Sequence, residues 1–173
     1  MRTFIAIDLP ENIREEIRKI QEKLPEFKGK LTEKENLHLT LKFLGEVDEE
    51  KIRLLKDKLK EIKFKKFEAE IDSLGVFSEK FVRIVWLHLT NCEKLQEKID
   101  ETLKDLFPRE ERFMSHITIA RVKSCKDKKA LIERLKQIRL DNFKFKVESF
   151  ELMKSELAKE GARYEVLEKF ELI

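Results

Sequence analysis

A mixed helix-and-strand fold in two related lobes is what this sequence predicts, and three observations carry that reading. Strand-like and helix-like apolar patterns alternate along the chain, and the same order of segments occurs twice. A short motif also recurs at a fixed offset: His38-Leu39-Thr40-Leu41 and His116-Ile117-Thr118-Ile119 lie 78 positions apart (116 − 38). No stretch rich in Gly, Ser or Pro separates the copies. One domain of 173 residues is therefore expected, with an internal repeat of roughly 1–78 and 79–155 and a closing strand to 173. At 41% hydrophobic residues, including 13 Phe, the chain can bury a core of that size.

Residues 3–8 form a compact apolar run that reads as a buried strand, and after Pro10 the residues Ile13, Ile17, Ile20 and Leu24 recur at helical spacing. From Leu37 to Leu44 apolar Leu37, Leu39, Leu41 and Phe43 alternate with His38, Thr40 and Lys42, which describes a half-buried strand with a polar second face. A helix from about Asp48 carries Ile52, Leu55, Leu59 and Ile62 on one side, and a strand follows from about Phe67 to Phe77. The order then restarts with a strand over 81–89, a helix carrying Leu95, Ile99 and Leu103, and a strand over 116–122. A helix with Leu131, Leu135 and Ile138, a strand over 143–152 and a last strand over 162–172 complete it. The same offset carries Phe67 to Phe145, Glu70 to Glu148 and Leu74 to Leu152. A cleft between the lobes is the expected binding site.

Composition excludes several classes. There are 38 basic and 35 acidic residues, a net charge of +3, far from the excess of a protein that coats nucleic acid. No window of about 18 apolar residues could span a bilayer, and the N-terminal segment turns polar too early for a signal peptide, so a soluble cytoplasmic protein is expected. Cys92 and Cys125 lie in polar stretches without metal-ligand spacing, and no GxxxxGK[ST] or GxGxxG occurs. No disulfide, zinc site, P-loop or dinucleotide cofactor is therefore anticipated.

The chain has only three histidines, and each is followed two positions later by threonine. His38 and His116 sit on equivalent strands of the repeat, whereas His88 moved by the same offset meets no histidine. Thr90-Asn91-Cys92-Glu93 has the S/T-x-x-E form of a helix capping box, which assigns Thr90 a structural task and makes His88 a dispensable bystander. Two imidazoles that titrate near neutrality can hold opposite protonation states, one as general base and one as general acid, which suits in-line displacement at phosphorus. Each threonine hydroxyl can donate to a non-bridging oxygen, and Lys42 and Arg121 are candidates for charge neutralisation. Strict alternation turns Arg121 away from His116, so it reaches the cleft only if the strand bends or ends first. Ser115 also points away from His116. No acidic or cysteine residue completes a metal-ligand set with the histidines, and no cofactor is expected.

At these residues the chain resembles the two-histidine phosphoesterase superfamily, and within it the RNA 2′,3′-cyclic phosphodiesterases also called 2′-5′ RNA ligases. The likeness runs through Arg2-Thr3-Phe4-Ile5-Ala6-Ile7, the block from Leu37 to Gly45, Val85-Trp86-Leu87, the block from His116 to Arg121, and Gly161-Ala162-Arg163-Tyr164. It implies a bilobal α+β fold of two antiparallel sheets with helices outside and both His-x-Thr-x motifs lining a central cleft. It further implies a cytoplasmic enzyme that opens RNA 2′,3′-cyclic phosphate ends to 2′-phosphates without a metal and that can join tRNA halves through 2′-5′ bonds. In that pattern His38 is the proton donor to the leaving 3′-oxygen, His116 accepts a proton from water, and Thr40, Thr118 and Arg121 bind the phosphate. Phe4 matches an aromatic position for base stacking. The expected partner is RNA ending in a cyclic phosphate, including tRNA halves, met by a monomer without a membrane. The alternatives are a non-catalytic module that holds RNA ends and a phosphodiesterase for small cyclic nucleotides.

Overall fold

The computed structural model describes all residues from Met1 to Ile173. In chain order the elements are β1 (Arg2–Asp8), α1 (Glu11–Glu22), β2 (Lys28–Leu31), β3 (His38–Glu46), α2 (Glu49–Lys60), β4 (Phe67–Val76) and β5 (Ile84–Leu89). They continue with α3 (Glu93–Thr102), β6 (His116–Ser124), α4 (Lys128–Gln137), β7 (Phe143–Val147), β8 (Ser149–Ala158) and β9 (Gly161–Glu171). None of the helices is long and apolar enough to cross a membrane.

The helices form where the periodicity places them, and two carry the caps their sequences offer. Asp48 accepts from Lys51 N (2.8 Å) to start α2, and Asp127 accepts from Ala130 N (3.1 Å) to start α4. The capping box expected at Thr90 does not form. Its hydroxyl accepts from Glu70 N (2.9 Å) across the sheet, and α3 begins with Cys92 at its cap position and no side-chain cap.

Two further departures have a common cause in long-range pairing. The single strand expected over 143–152 is two strands, because β7 pairs with β4 while β8 pairs with β1, on the far side of the sheet. The segment Lys28–Leu31 lacks an apolar alternation, yet it forms β2 by pairing with β6. Gly29 permits that approach: at φ +153° it stands where a Cβ would lie 2.1 Å from the Arg121 carbonyl oxygen.

All strand pairs are antiparallel, and the strands follow the order β7-β4-β5-β6-β3-β1-β8-β9, with β2 also on β6. The two sheets expected from the sequence are thus one hydrogen-bonded sheet whose halves meet at a single pair, Leu39 with Ile117. The third strand of each repeat crosses over: β4 lies beside β5, and β8 lies beside β1. One face of the sheet and the helices share a cluster of 37 buried residues that includes Ile17, Leu39, Leu55, Leu87, Ile99, Ile117 and Leu131. Burial of this apolar surface, on the order of 25 cal/mol per Å², is the main force that holds the halves together. The opposite face carries His38, Thr40, His116 and Thr118, each only partly buried.

Candidate active site

Both motif strands break their alternation at the same place. In β3, Thr40 pairs with Ala6 and Lys42 with Ile5, which leaves Leu41 as an extra residue; in β6, Thr118 pairs with Trp86 and Ala120 with Val85, which leaves Ile119. The two bulges are 78 positions apart, and β3 and β6 share one burial pattern, iBiBBeBee. The second bulge is secured from α1 and from the end of β2: the Ile119 carbonyl accepts from the buried Gln21 Nε2 (2.9 Å) and from Thr32 N (3.0 Å).

The bulges reassign the charged candidates. Beyond Ile119 the faces exchange, so Arg121 pairs with Ile84 on the side of Thr118 and Trp86 and has no carboxylate partner. Lys42, placed by alternation on the face of His38, is instead turned into the helix side. There it is 4% exposed and donates to Asp100 Oδ1 (2.5 Å) and to the Pro108 carbonyl (2.7 Å). It is removed from the site. Position 43, the repeat partner of 121, emerges on the cleft face as Phe43, 68% exposed. Alternation had assigned Phe43 to the core and so hid it from the sequence; the offset from Arg121 is the signal that could have found it.

His38 and His116 are held by one device. His38 Nδ1 donates to the Asn36 carbonyl and His116 Nδ1 to the Met114 carbonyl, each at 2.7 Å. A carbonyl can only accept, so Nδ1 carries the proton in both rings and Nε2 is the nitrogen left for chemistry. His38 Nε2 lies 2.9 Å from the Thr40 hydroxyl, whereas His116 Nε2 has no protein partner. Leu39 and Ile117 point into the core between them, so pairing at this one position sets His38 opposite Thr118 and Thr40 opposite His116.

The surroundings of the two rings differ. His38 sits among Phe4 and Tyr164, with ring centroids 5.1 Å from each. Burial pushes its imidazole below the ordinary value of 6.5; the Asn36 hydrogen bond and the Asp8 carboxylate oppose that, while Arg14 and His116 add to it. Arg14 also pairs with Asp8 and donates to the Leu9 and Lys34 carbonyls. His116 meets the edge of Phe77 at 5.0 Å. Phe4 is 3% exposed and enclosed by His38, Phe43 and Tyr164, so it walls the His38 ring and offers no free face for stacking. Ser115 is buried and donates to the Leu89 carbonyl (2.6 Å), away from the cleft. A cavity of about 140 Å³ opens between Thr40 and His116, with Phe43, Phe113 and Arg112 on its walls.

His88 is not remote. It lies opposite His116 in the β5–β6 pair, on the same face, and its Nδ1 donates to Asp72 Oδ1 (2.6 Å). Nowhere do three or more His, Cys, Asp or Glu side chains gather as metal ligands. Cys92 and Cys125 are free thiols, and burial pushes the Cys92 thiol up to about 12.

Two imidazoles tethered alike to backbone carbonyls, on adjacent strands and each opposite a threonine, are an arrangement suited to acid–base chemistry at a phosphoester. The family model described as "LigT like Phosphoesterase" matches residues 7–86 and 89–164, and the chain belongs to that family. It is 39% identical to the RNA 2′,3′-cyclic phosphodiesterase of Methanocaldococcus jannaschii, over 98% of this chain and 100% of that protein. It is 38% identical to the protein of the same name from Thermotoga maritima, over 96% and 93%. Among crystal structures, TT0787 of Thermus thermophilus superposes with a TM-score of 0.82 at 29% identity, covering 99% of this chain and 97% of that one. E. coli LigT complexed with 3′-AMP gives 0.80 at 29%, with the same coverage.

Proposed function

We propose that this protein hydrolyses RNA ends that carry a 2′,3′-cyclic phosphate to 2′-phosphomonoesters. The observation that carries the reading is the pair of Nε2 atoms left available when both Nδ1 atoms are tied to backbone carbonyls. The names of the M. jannaschii and T. maritima relatives support the substrate class. In this reaction water attacks phosphorus and its proton passes to His116 Nε2. The bond from phosphorus to the 3′-oxygen breaks, His38 Nε2 gives that oxygen a proton, and the 2′-ester remains. Thr40 and Thr118 donate to the non-bridging oxygens and Arg121 neutralises charge. His38 must enter the reaction protonated although burial favours its neutral form; the bound phosphate anion and Asp8 act together in the other direction. Exposed Phe43 gives the nucleobase a face to stack on.

When an RNA 5′-hydroxyl takes the place of water, the same two proton transfers join RNA ends, tRNA halves among them, through a 2′-5′ bond. We assign these reactions to a cytoplasmic monomer that needs no metal. The decisive experiment incubates the protein with an RNA ending in 2′,3′-cyclic phosphate in EDTA and identifies the product. A 2′-phosphate is expected, with His38→Ala and His116→Ala each at least about a hundredfold slower. A 3′-phosphate product, or activity abolished by EDTA, overturns the proposal.

A further inference from the structure

In-line displacement sets the attacking and leaving oxygens on opposite sides of phosphorus, and in the reaction proposed above that axis runs from His38 on β3 to His116 on β6. Whatever the attacking oxygen is bonded to must extend past His116, over the next strand, β5. Water brings nothing there. An RNA 5′-hydroxyl brings its own ribose and base, and both have to lie on the β5 side.

Two groups stand on that side. His88 is the register partner of His116 on β5, so their Cβ atoms share a face about 5 Å apart. Its Nδ1 donates to Asp72 Oδ1 (2.6 Å) on β4, and the Ser73 hydroxyl donates to the same oxygen (3.4 Å). The two nitrogens of an imidazole sit on opposite edges of the ring, so a ring tied toward β4 turns Nε2 back toward β6 and the cleft. That Nε2 has no protein partner, the side chain is 27% exposed, and with Nδ1 holding the proton Nε2 is an acceptor. Phe77, just beyond β4, is the second group: it is 54% exposed, with its ring 5.0 Å from that of His116 and 5.8 Å from that of Trp86. On the leaving side the place equivalent to His88 is taken by Asp8, already paired with Arg14.

Resting on the joining reaction proposed above, we infer that His88, oriented by Asp72, and Phe77 form the subsite for the RNA end that supplies the attacking 5′-hydroxyl. His88 Nε2 accepts from the 2′-hydroxyl of its first ribose, and Phe77 stacks on its base. Within an RNA the 3′-oxygen of that ribose is esterified, which leaves the 2′-hydroxyl as its free donor. In the joining step the 5′-oxygen bonds to phosphorus and its proton passes to His116 Nε2. The bond to the 3′-oxygen breaks, His38 Nε2 protonates that oxygen, and the retained 2′-ester completes the 2′-5′ link. His88 takes no proton; it favours a ribonucleotide end over water and over a deoxyribose end as the nucleophile.

The test supplies a cyclic-ended RNA together with a second RNA bearing a 5′-hydroxyl and reads initial rates of joined and hydrolysed product. A 2′-deoxy substitution in the first nucleoside of the second RNA should lower the joined-to-hydrolysed ratio of the wild type about fivefold. His88→Ala should lower the ratio to the same extent with the all-ribose RNA and abolish the deoxy penalty, and Asp72→Ala and Phe77→Ala should lower it too. Hydrolysis of the cyclic end alone by His88→Ala should stay within about twofold of the wild type. A wild-type ratio that the deoxy substitution leaves within about twofold, or a deoxy penalty that persists in His88→Ala, overturns the inference. So does a His88→Ala variant that slows hydrolysis as much as joining, since His88 would then act on the water. A wild type that opens cyclic ends but joins none overturns the subsite and leaves the hydrolysis standing, whereas one that opens none overturns the parent proposal.

Discussion

His38 and His116 share a motif, a strand position and a carbonyl tether, so the proposed division into acid and base has to come from their neighbours. Asp8 is the register partner of His38, and His88 that of His116. The first places an anion beside one ring, where it favours the imidazolium against the lowering effects of burial and of Arg14. With His38 as the acid, the alkaline limb of kcat/KM against pH reports its titration in the free protein. That limb should lie on the acid side of the ordinary imidazole range, because burial is the largest effect on His38. Asp8→Asn removes a raising influence and leaves the lowering ones, so the limb should move to still lower pH. A shift to higher pH, read from a pH–rate series, would refute the assignment of His38 as acid. Stability follows the same sign. An imidazole held below 6.5 in the folded state binds fewer protons than in the unfolded chain, so its contribution is present above about 6.5 and is lost progressively as pH falls from there through its lower folded-state value.

At the scale of an element, a single extra residue in each motif strand exchanges the roles of its neighbours. Without the bulge at Ile119, Arg121 would face the core side, and without that at Leu41, Lys42 would face the cleft. The buried Lys42 now holds together a network in which Asp100 also accepts from Gln96 Nε2 (2.8 Å) and Glu110 N (2.9 Å), anchoring the segment that leads into β6. Burial alone would raise the Asp100 carboxyl, but the Lys42 ammonium and these hydrogen bonds hold it below its usual range. Arg121→Ala is expected to lower kcat/KM at least about tenfold with little change in melting temperature, since it removes a charge-assisted contact from an exposed side chain. Lys42→Ala should leave Asp100 buried without its counter-ion and cost about 3–5 kcal/mol in a denaturant titration. If instead Lys42→Ala proved as stable as the parent and lost phosphate affinity, the bulge at Leu41 would be misassigned.

For the whole molecule, the narrow hydrogen-bonded junction and the broad core make opposite predictions about cooperativity. One strand pair, Leu39 with Ile117, connects the halves, whereas the 37-residue cluster draws on every helix and on both halves of the sheet. The crossed third strands add to this, because neither half of the sequence can complete its own side. Apolar burial should therefore dominate, and calorimetry should show one transition whose van't Hoff and calorimetric enthalpies agree. Two resolved transitions would mean that the halves unfold separately.

Period-two alternation put the paired histidines and threonines on a common face, and the 78-residue offset joined them into one candidate site with no need of coordinates. Helical spacing placed α1 to α4 in the same way, since both periods are properties of local backbone geometry. Pairing across the sheet was not legible. The existence of β2, the division of 143–152 into two strands, the faces taken by Lys42, Phe43 and Arg121, and the place of His88 beside His116 all depend on which distant strand supplies the hydrogen bonds. A bulge changes every face beyond it, and its carbonyl is satisfied by residues as remote as Gln21. The candidate histidine pair could be read from the chain alone, because like residues recur at like positions of a local pattern. What surrounds that pair emerged only in the folded molecule, because register is a long-range choice made by the core and the backbone hydrogen bonds together.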